Sequence, residues 1–462
     1  MIEPAAARAA LEQALCSGGD FSEIFVEDRE SNNVSMIDGT VDEASYNRSR
    51  GAGVRVLQGT KSVYAYTNDI GEESLLATAK AAAAALRGLG EGQSAHFEVT
   101  DYRKEPEIPF SGVDNAQRIR LLKAGHAAAK ARSGEISQIS VSIGDVDQRV
   151  LVCNSEGVWA EDRRPRTRYA IQVVASKGTD VQTGFSGPGR GMGFEAYQVI
   201  DVERAARIAA DQAVTMLHAP ECPAGYLPVV IDGGFGGVIF HEACGHSLEA
   251  TAVGKGNSEF CGKLGQQIAS PLVTAIDDGT IPGEWGSLHM DDEGAPSRRR
   301  VLIENGILKS YMIDLLGSRR MGMPPTGSSR RQNYAYAPTS RMTNTYIAAG
   351  TDDEEEMLRS MGEGLYAKAM GGGSVNPVTG EFNFAVSEGY WVKNGQIVSP
   401  VRGATLVGRG SEVLLKIDRV GRKMWMEQGM CGSLSGSIPV NVGQPRIRVS
   451  ALTIGGKGGT TL

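Results

Sequence analysis

Residues 231–250 read IDGGFGGVIFHEACGHSLEA and hold two of the six histidines in the chain. Glu242 follows His241 directly, and His246 stands five positions after His241. Imidazole nitrogen is a zinc ligand, and a carboxylate beside it can act as a general base, so this pattern points to metal-assisted hydrolysis. The spacing is H-E-x-x-x-H. In the H-E-x-x-H motif of zinc proteases the histidines stand four apart and share one helix face. Five steps of about 100° put two rings roughly 140° apart on a regular helix. They can share one ion only if the helix is distorted locally. Gly245 directly precedes His246, where a kink, a π-bulge or a helix end costs least. The competing reading is a helix with two unrelated polar histidines. The adjacent Glu242 and the glycines that open the segment favour the metal.

Two histidines leave a zinc site one protein ligand short, and a catalytic site keeps a further position for water. Cys244, Glu249 and Cys261 are near in sequence, and Glu249 follows His246 by three, on one helical face. Cys431 lies far downstream in MEQGMCGSLSGSIPVNVGQPRIRVS, among glycines and beside two strand-like runs. Spacing alone leaves all four open. Three classes of function fit these residues. One is a zinc peptidase. Another is a thiol hydrolase using Cys431 with a histidine base, in which Glu242 has no role. The third is a non-catalytic partner whose metal only staples the fold, with Glu249 as an added ligand.

The apolar lead-in YLPVVID (226–232) reads as a strand feeding the histidine-bearing helix. Upstream, residues 4–16 form an amphipathic helix pattern, and 21–69 alternate apolar and polar between Gly and Asp turns, an antiparallel meander. GEESLLATAKAAAAALRGLG and VDNAQRIRLLKAGHAAAKARSG read as helices. Two further strand segments follow, and then a helix, DVERAARIAADQAVTMLHAP, that stops near Pro220. GPGRGMGFEAY lacks the GxxxxGK[ST] pattern and is no phosphate cradle. Helices and strands in blocks favour α+β over a doubly wound parallel sheet. A boundary at Pro223–Tyr226 divides the chain in two. Residues 1–222 form a mixed α/β domain with antiparallel sheets. Residues 223–462 form a strand-rich domain carrying the metal-site helix. One charged helix, DDEEEMLRSMGEGLYAKAMGGG, interrupts the second domain, and its acidic start, Asp352–Glu356, suits the helix dipole.

The chain of 462 residues carries a net charge of −7. With no basic surplus to neutralise phosphates, a general nucleic-acid binder is excluded. Arg298–Arg300 and Arg330–Arg331 read as solvated turns. No apolar run reaches the roughly 18 residues of a membrane span. The N-terminus, MIEPAAARAALEQAL, lacks the basic and apolar regions of a signal peptide. Six scattered cysteines without a CxxC pair indicate reduced thiols in a cytoplasmic protein.

HEACGHSLEA resembles the HExxxH segment of the TldD/PmbA metalloproteases. Further blocks are similar in the same order: DDEGAPSRRRVLIENGILKSYMID (291–314), SSRRQNYAYAPTSRMTNTYIAAG (328–350) and GMCGSLSGSIPVNVGQPRIRVS (429–450). The resemblance covers most of the chain and is densest from residue 226. The intact HExxxH matches the TldD-like branch; the PmbA (TldE)-like branch lacks the motif. The resemblance implies His241, His246 and Cys431 as metal ligands, Glu242 as the catalytic carboxylate and one zinc per active subunit. It implies a peptidase acting on short or unfolded peptides inside an enclosed cavity. Some family members trim leader segments from modified peptide precursors, and others are linked to control of a gyrase-poisoning toxin system. It also implies a homodimer, or a heterodimer with a TldE/PmbA-like subunit. Arg330, Arg331, Tyr334 and Tyr336, in the second of these blocks, are candidate donors to an oxyanion, with structural roles an equal reading for each. No substrate-binding residue is assigned.

Overall fold

Four strands of 17 to 20 residues organise the N-terminal half of the computed structural model, which describes residues 1–457 apart from positions 87, 89, 91, 377 and 378. In chain order the elements are α1 (Pro4–Leu15), β1 (Phe21–Ile37), β2 (Thr40–Gln58), β3 (Lys61–Thr67), α2 (Glu72–Ala84), β4 (Glu98–Asp101) and α3 (Asn115–Lys130). There follow β5 (Ile136–Asn154), β6 (Val158–Lys177), β7 (Asp180–Ser186), β8 (Gly189–Arg190) and α4 (Val202–His218). The sheet runs β3-β2-β1-β5-β6-β4, with β7 and β8 also on β6, and only β4–β6 is parallel. The meander, the four helices and the α+β class expected from the pattern are all present.

Successive side chains on a strand face opposite ways. Ile24, Val26, Val34 and Met36 of β1 face the helices, with α1 and α2 over one end of the sheet and α3 and α4 over the other. The intervening residues Glu23, Phe25 and Glu27 face the C-terminal half. There Phe25 packs with Val150, Val152, Ala160 and Met290. This second face is buried and charged. Arg55 donates to Glu23 at 2.9 Å and to Glu293 at 2.6 Å, Arg331 donates to Glu23 at 2.7 Å, and Arg164 donates to Asp292 at 2.6 Å.

From β9 (Gly225–Ile231) onward the described residues build two large sheets and a two-stranded one, Ser329–Arg330 with Thr339–Ser340. In the first, β9 lies between Gly364–Val375 and Ile447–Gly455, and the pairings continue through Thr405–Arg409 and Glu381–Lys393 back to Gly364–Val375. The path therefore closes into a five-stranded ring, whose apolar residues join the largest core cluster. The second sheet has six strands and ends on Gly436–Gln444 and then Trp425–Ser433, which is its edge.

Two expectations need correction. The charged helix covers only Glu354–Arg359, capped by Asp353, whose side chain accepts from the N–H groups of Glu355 and Glu356. Gly362 takes a left-handed conformation (φ 75°), and Gly364–Val375 is captured as a strand parallel to β9. Helix propensity gave way to sheet pairing. The arginine clusters are not all solvated. Arg298 and Arg299 are exposed, but Arg300, Arg330 and Arg331 are buried. Arg300 pairs with Asp277 at 2.6 Å, and Arg331 is stacked over Phe25, 4.2 Å from its ring centroid. Long-range carboxylates and carbonyls, invisible in the local sequence, partner these guanidiniums, leaving Nε of Arg300 and of Arg331 without a hydrogen bond among the described residues.

Candidate metal centre

β9 leads into a turn at Gly234–Gly237 and one short helical stretch, Val238–Phe240. A Cβ on Gly237 would stand 2.6 Å from the backbone of Gly443, so only glycine lets the turn lie against the strand 436–444. Residues His241–Gly245 then widen into a π turn, in which the N–H of His246 donates to the carbonyl of His241. A turn closed on i+5 brings residues five apart to neighbouring positions one turn on. This is the distortion that the spacing of the two histidines demands. Gly245 itself keeps helical angles, φ −53° and ψ −52°. Its role is packing, since a Cβ there would overlap Sδ of Met342.

The edge strand Trp425–Ser433 carries Cys431 to this helix. Cys431 Sγ stands 3.2 Å from Nε2 of His241 and 3.2 Å from Nε2 of His246. The rings of the two histidines are nearly perpendicular, at 87°, with centroids 5.1 Å apart. All three ligand atoms lie within 4.8 Å of one another. Donors on one tetrahedral zinc stand about 3.3–3.6 Å apart, given Zn–N near 2.0–2.1 Å and Zn–S near 2.3 Å. Two imidazoles and a thiol are also a soft-to-borderline donor set suited to zinc. The residues present therefore fit the ion. Glu242 Oε2 lies 3.7 Å from His246 Nε2, and its side chain is 27% exposed. It flanks the donor set and still reaches solvent.

The surroundings fix these groups. His246 Nδ1 lies 3.1 Å from Glu249 Oε1. With Nδ1–H donating to that carboxylate, Nε2 is free as a ligand atom. His241 Nδ1 is buried with no hydrogen-bond partner among the described residues, so packing and the Nε2 contact with Cys431 orient that ring. Arg341, fully buried, donates to the carbonyls of Cys431 and Gly436 and to Ser435 Oγ, while its Nε lies 3.9 Å from Glu249 Oε1. It ties the hairpin that carries Cys431 to the carboxylate that orients His246. Burial pushes the Cys431 thiol up, but the charge and hydrogen bonds of His241 and His246 outweigh it and hold it down at about 3. Burial likewise disfavours the charged His246 ring, yet the Glu249 carboxylate and the Cys431 sulfur keep it well above an ordinary imidazole. The thiolate is the form that binds metal.

The other candidates separate cleanly. Glu249 is a partner of His246 and lies outside the three-donor group. Cys244 is buried in the apolar core, and desolvation pushes its thiol well above the usual range. Cys261 Sγ faces the carbonyl of Val253. Arg330 donates to the carbonyl of Met342, and Arg331 is held by Glu23, Asp292 and Tyr64. Tyr334 packs on the N-terminal sheet, its N–H donating to Glu27 and its carbonyl accepting from Tyr64. Tyr336 follows in a turn, its N–H donating to the carbonyl of Asn333. These contacts are structural. Arg341 and Met342 were not singled out from the sequence. Their only signal was membership of the block 328–350.

Comparisons with known proteins give the family of the chain. Models for domain 1, the central domain and the C-terminal domain of the PmbA/TldA metallopeptidases match residues 22–86, 108–217 and 224–456. A metalloprotease TldD homolog of Haemophilus influenzae is 37% identical over 95% of this chain and 93% of its own length. A metalloprotease of Methanothermobacter thermautotrophicus is 32% identical over 95% of this chain and 96% of its own. A zinc metalloprotease TldD homolog of Saccharolobus solfataricus is 32% identical over 57% of this chain and 59% of its own. Among solved structures, TldE from Thermococcus kodakarensis superposes with a TM-score of 0.76 at 20% identity, covering 94% of this chain and 97% of its own. A Thermotoga maritima protein described as a modulator of a DNA gyrase gives 0.77 at 21% identity, covering 94% and 96%. These two show the fold. The three domain models, together with relatives above 30% identity over nearly the whole length, show that the chain belongs to the PmbA/TldA metallopeptidase family, the TldD/PmbA metalloproteases of the sequence resemblance.

Proposed function

We propose that this chain hydrolyses short or unfolded peptides, with one zinc ion held by His241, His246 and Cys431 and with Glu242 as general base. The observation that carries this reading is the convergence of two Nε2 atoms and one Sγ within 4.8 Å, with the Glu242 carboxylate alongside. The name of the Saccharolobus relative supports zinc as the metal. When bound, zinc supplies Lewis acidity to the reacting carbonyl and to water. Glu242 takes a proton from the attacking water and passes it to the departing amine as the C–N bond breaks. Glu249 keeps His246 in the tautomer that leaves Nε2 free. Arg341 holds the Cys431 hairpin against the helix. A general base is worth about 10²–10⁴ in rate. Glu242→Gln is therefore expected to keep one zinc per chain while kcat falls by roughly that factor, measured by metal analysis and a fluorogenic peptide assay. Full activity in Glu242→Gln would sink the reading.

One alternative has an observation of its own. A cysteine sulfur 3.2 Å from two imidazoles is also the arrangement of a thiol nucleophile with its base. Chelation separates the two. The metal reading requires loss of activity on metal removal and recovery with added zinc. Activity that survives chelation and dies on alkylation assigns the chemistry to Cys431. The proposal extends to a second subunit of this same fold, either another copy or a TldE-like partner, which the solved TldE supports. Light scattering on the purified chain of 49.0 kDa is expected to give two chains for the first case and one for the second.

A further inference from the structure

A cavity of about 680 Å³ lies between the N-terminal sheet and the C-terminal half, within the size range of ligand sites. Its walls carry large apolar side chains that nothing among the described residues covers. Phe185, Ile208 and Met430 are 54%, 49% and 51% exposed, and Met426 adds adaptable thioether surface beside them. Gly371 and Gly372 line it as well. They fall in a break in register, after the pair Met370↔Val386 and before Gly373↔Phe384, so neither peptide unit is committed to a regular pair.

Arg168, Arg190 and Lys368 line this cavity against Glu388 and Glu427, an excess of one cation. Lys368 is neutralised by Glu388 at 2.7 Å. Arg168 instead spends its hydrogen bonds on the carbonyls of Gly187, at 3.1 Å, and Gln428, at 3.3 Å, and lies over Trp285. Arg190 donates to the carbonyl of Gly189, and the carboxylate of Glu284 stands 3.9 Å away. Arg168 thus meets the cavity with no carboxylate partner among the described residues, Arg190 meets it with only the long contact to Glu284, and a guanidinium is the preferred donor to a carboxylate. Gln428 lies three residues before Cys431 on the same strand. At about 3.3 Å per residue, Arg168 is anchored roughly 10 Å along that strand from the metal centre. Met430 and Cys431 face opposite sides of this edge strand, so a peptide spans it with at least about three residues of extended chain.

We propose that this cavity holds the apolar, carboxylate-bearing end of the peptide substrate. Arg168 and Arg190 take the carboxylate, and Phe185, Ile208 and Met430 take the side chains. This deepens the peptidase reading above and rests on it. The carboxylate has two sources, a free C-terminus or an acidic side chain. The enzyme accordingly selects peptides with a carboxylate at least three residues beyond the cleaved bond.

The test uses zinc-loaded Glu242→Gln protein and three hexapeptides labelled with fluorescein at the N-terminus, read by anisotropy. One ends in a free acid, one in an amide, and one in an amide with Glu as the penultimate residue. The free acid is expected to bind at least about tenfold tighter than the plain amide, the worth of one charge-assisted contact. Arg168→Gln/Arg190→Gln is expected to erase that difference and leave the amide unchanged. Arg190→Gln alone, at a partly exposed position, gives a smaller loss and guards against misfolding of the double variant, which melting curves report. A gain confined to the Glu peptide supports the same site with a side chain as the source. Equal binding of all three peptides overturns the proposal, as does an acid preference that persists in a folded double variant. If wild-type protein cuts no peptide while the arginine-dependent preference remains, the cavity stands and the peptidase reading falls.

Discussion

At the scale of single residues, the proposed centre is braced by groups outside its three donor atoms. Glu249 and Arg341 act on His246 and Cys431 from behind, through one carboxylate and one guanidinium. Partners of this kind are worth about 10–100-fold in metal affinity. Glu249→Ala is expected to weaken zinc binding by about that factor, measured by competition with a chromophoric chelator. An unchanged affinity would remove Glu249 from the centre. Glu249 was visible in the sequence as a carboxylate three positions after His246. The sequence left it open as a ligand, because a helix face does not distinguish an oxygen on the metal from an oxygen on the far nitrogen of the ring. Arg341 carried no such mark. It reads as one more arginine until the Cys431 hairpin folds over it.

At the scale of elements, the π turn is what makes a five-residue spacing usable. It is wedged between the strand 436–444, against which Gly237 lies, and Met342, against which Gly245 lies. Gly245→Ala is expected to cost about 1–3 kcal/mol through overpacking against Met342 and to lower zinc content. Met342→Ala in the same protein should restore much of both, since the two changes share one contact. Melting temperature and metal analysis measure the pair. A Gly245→Ala protein with full zinc content and unchanged stability would show that the contact with Met342 does not shape the turn. The need for a distortion was legible from the spacing. Its cause was not, because Gly245 contributes a close approach to Met342 and not a special backbone angle.

At the scale of the whole molecule, the two halves meet across buried charge. Glu293 accepts from Arg55 and from the N–H of Leu315. Burial raises its carboxyl, Arg55 opposes this, and the neighbouring carboxylates of Asp314, Glu23 and Asp291 raise it further, to about 8. A group whose folded value lies above its unfolded value binds its proton more tightly in the folded state. Its contribution is fully present below the ordinary value of 4.5 and is lost as the pH rises through about 8. The melting temperature is therefore expected to fall between pH 5 and 9, and Glu293→Gln, which stays neutral, should flatten that slope. A slope unchanged by the substitution would assign the pH dependence elsewhere. Breaking a buried pair from the other side is costlier. Arg331→Met leaves Glu23 without one of its two guanidiniums and is expected to cost about 3–5 kcal/mol in denaturant unfolding.

The sequence by itself determined the short-range facts. Period-two alternation laid out the long strands, apolar periodicity and helix stops laid out α1 to α4, and the H-E-x-x-x-H spacing required a local distortion of the helix. These depend on residues a few positions apart, where backbone geometry links pattern to structure. Tertiary structure decided the rest. Cys431 joins the histidines from 185 positions away only because the strand Asn344–Ile347 pairs in parallel with Gly436–Gln444, which in turn holds the edge strand against the helix. Arg300, Arg330 and Arg331 turned inward only because Asp277, Asp292, Glu23 and backbone carbonyls were waiting for them. Burying a charge is unfavourable until its partner is in place. That partner is set by sheet pairing over hundreds of residues, and no local pattern encodes it.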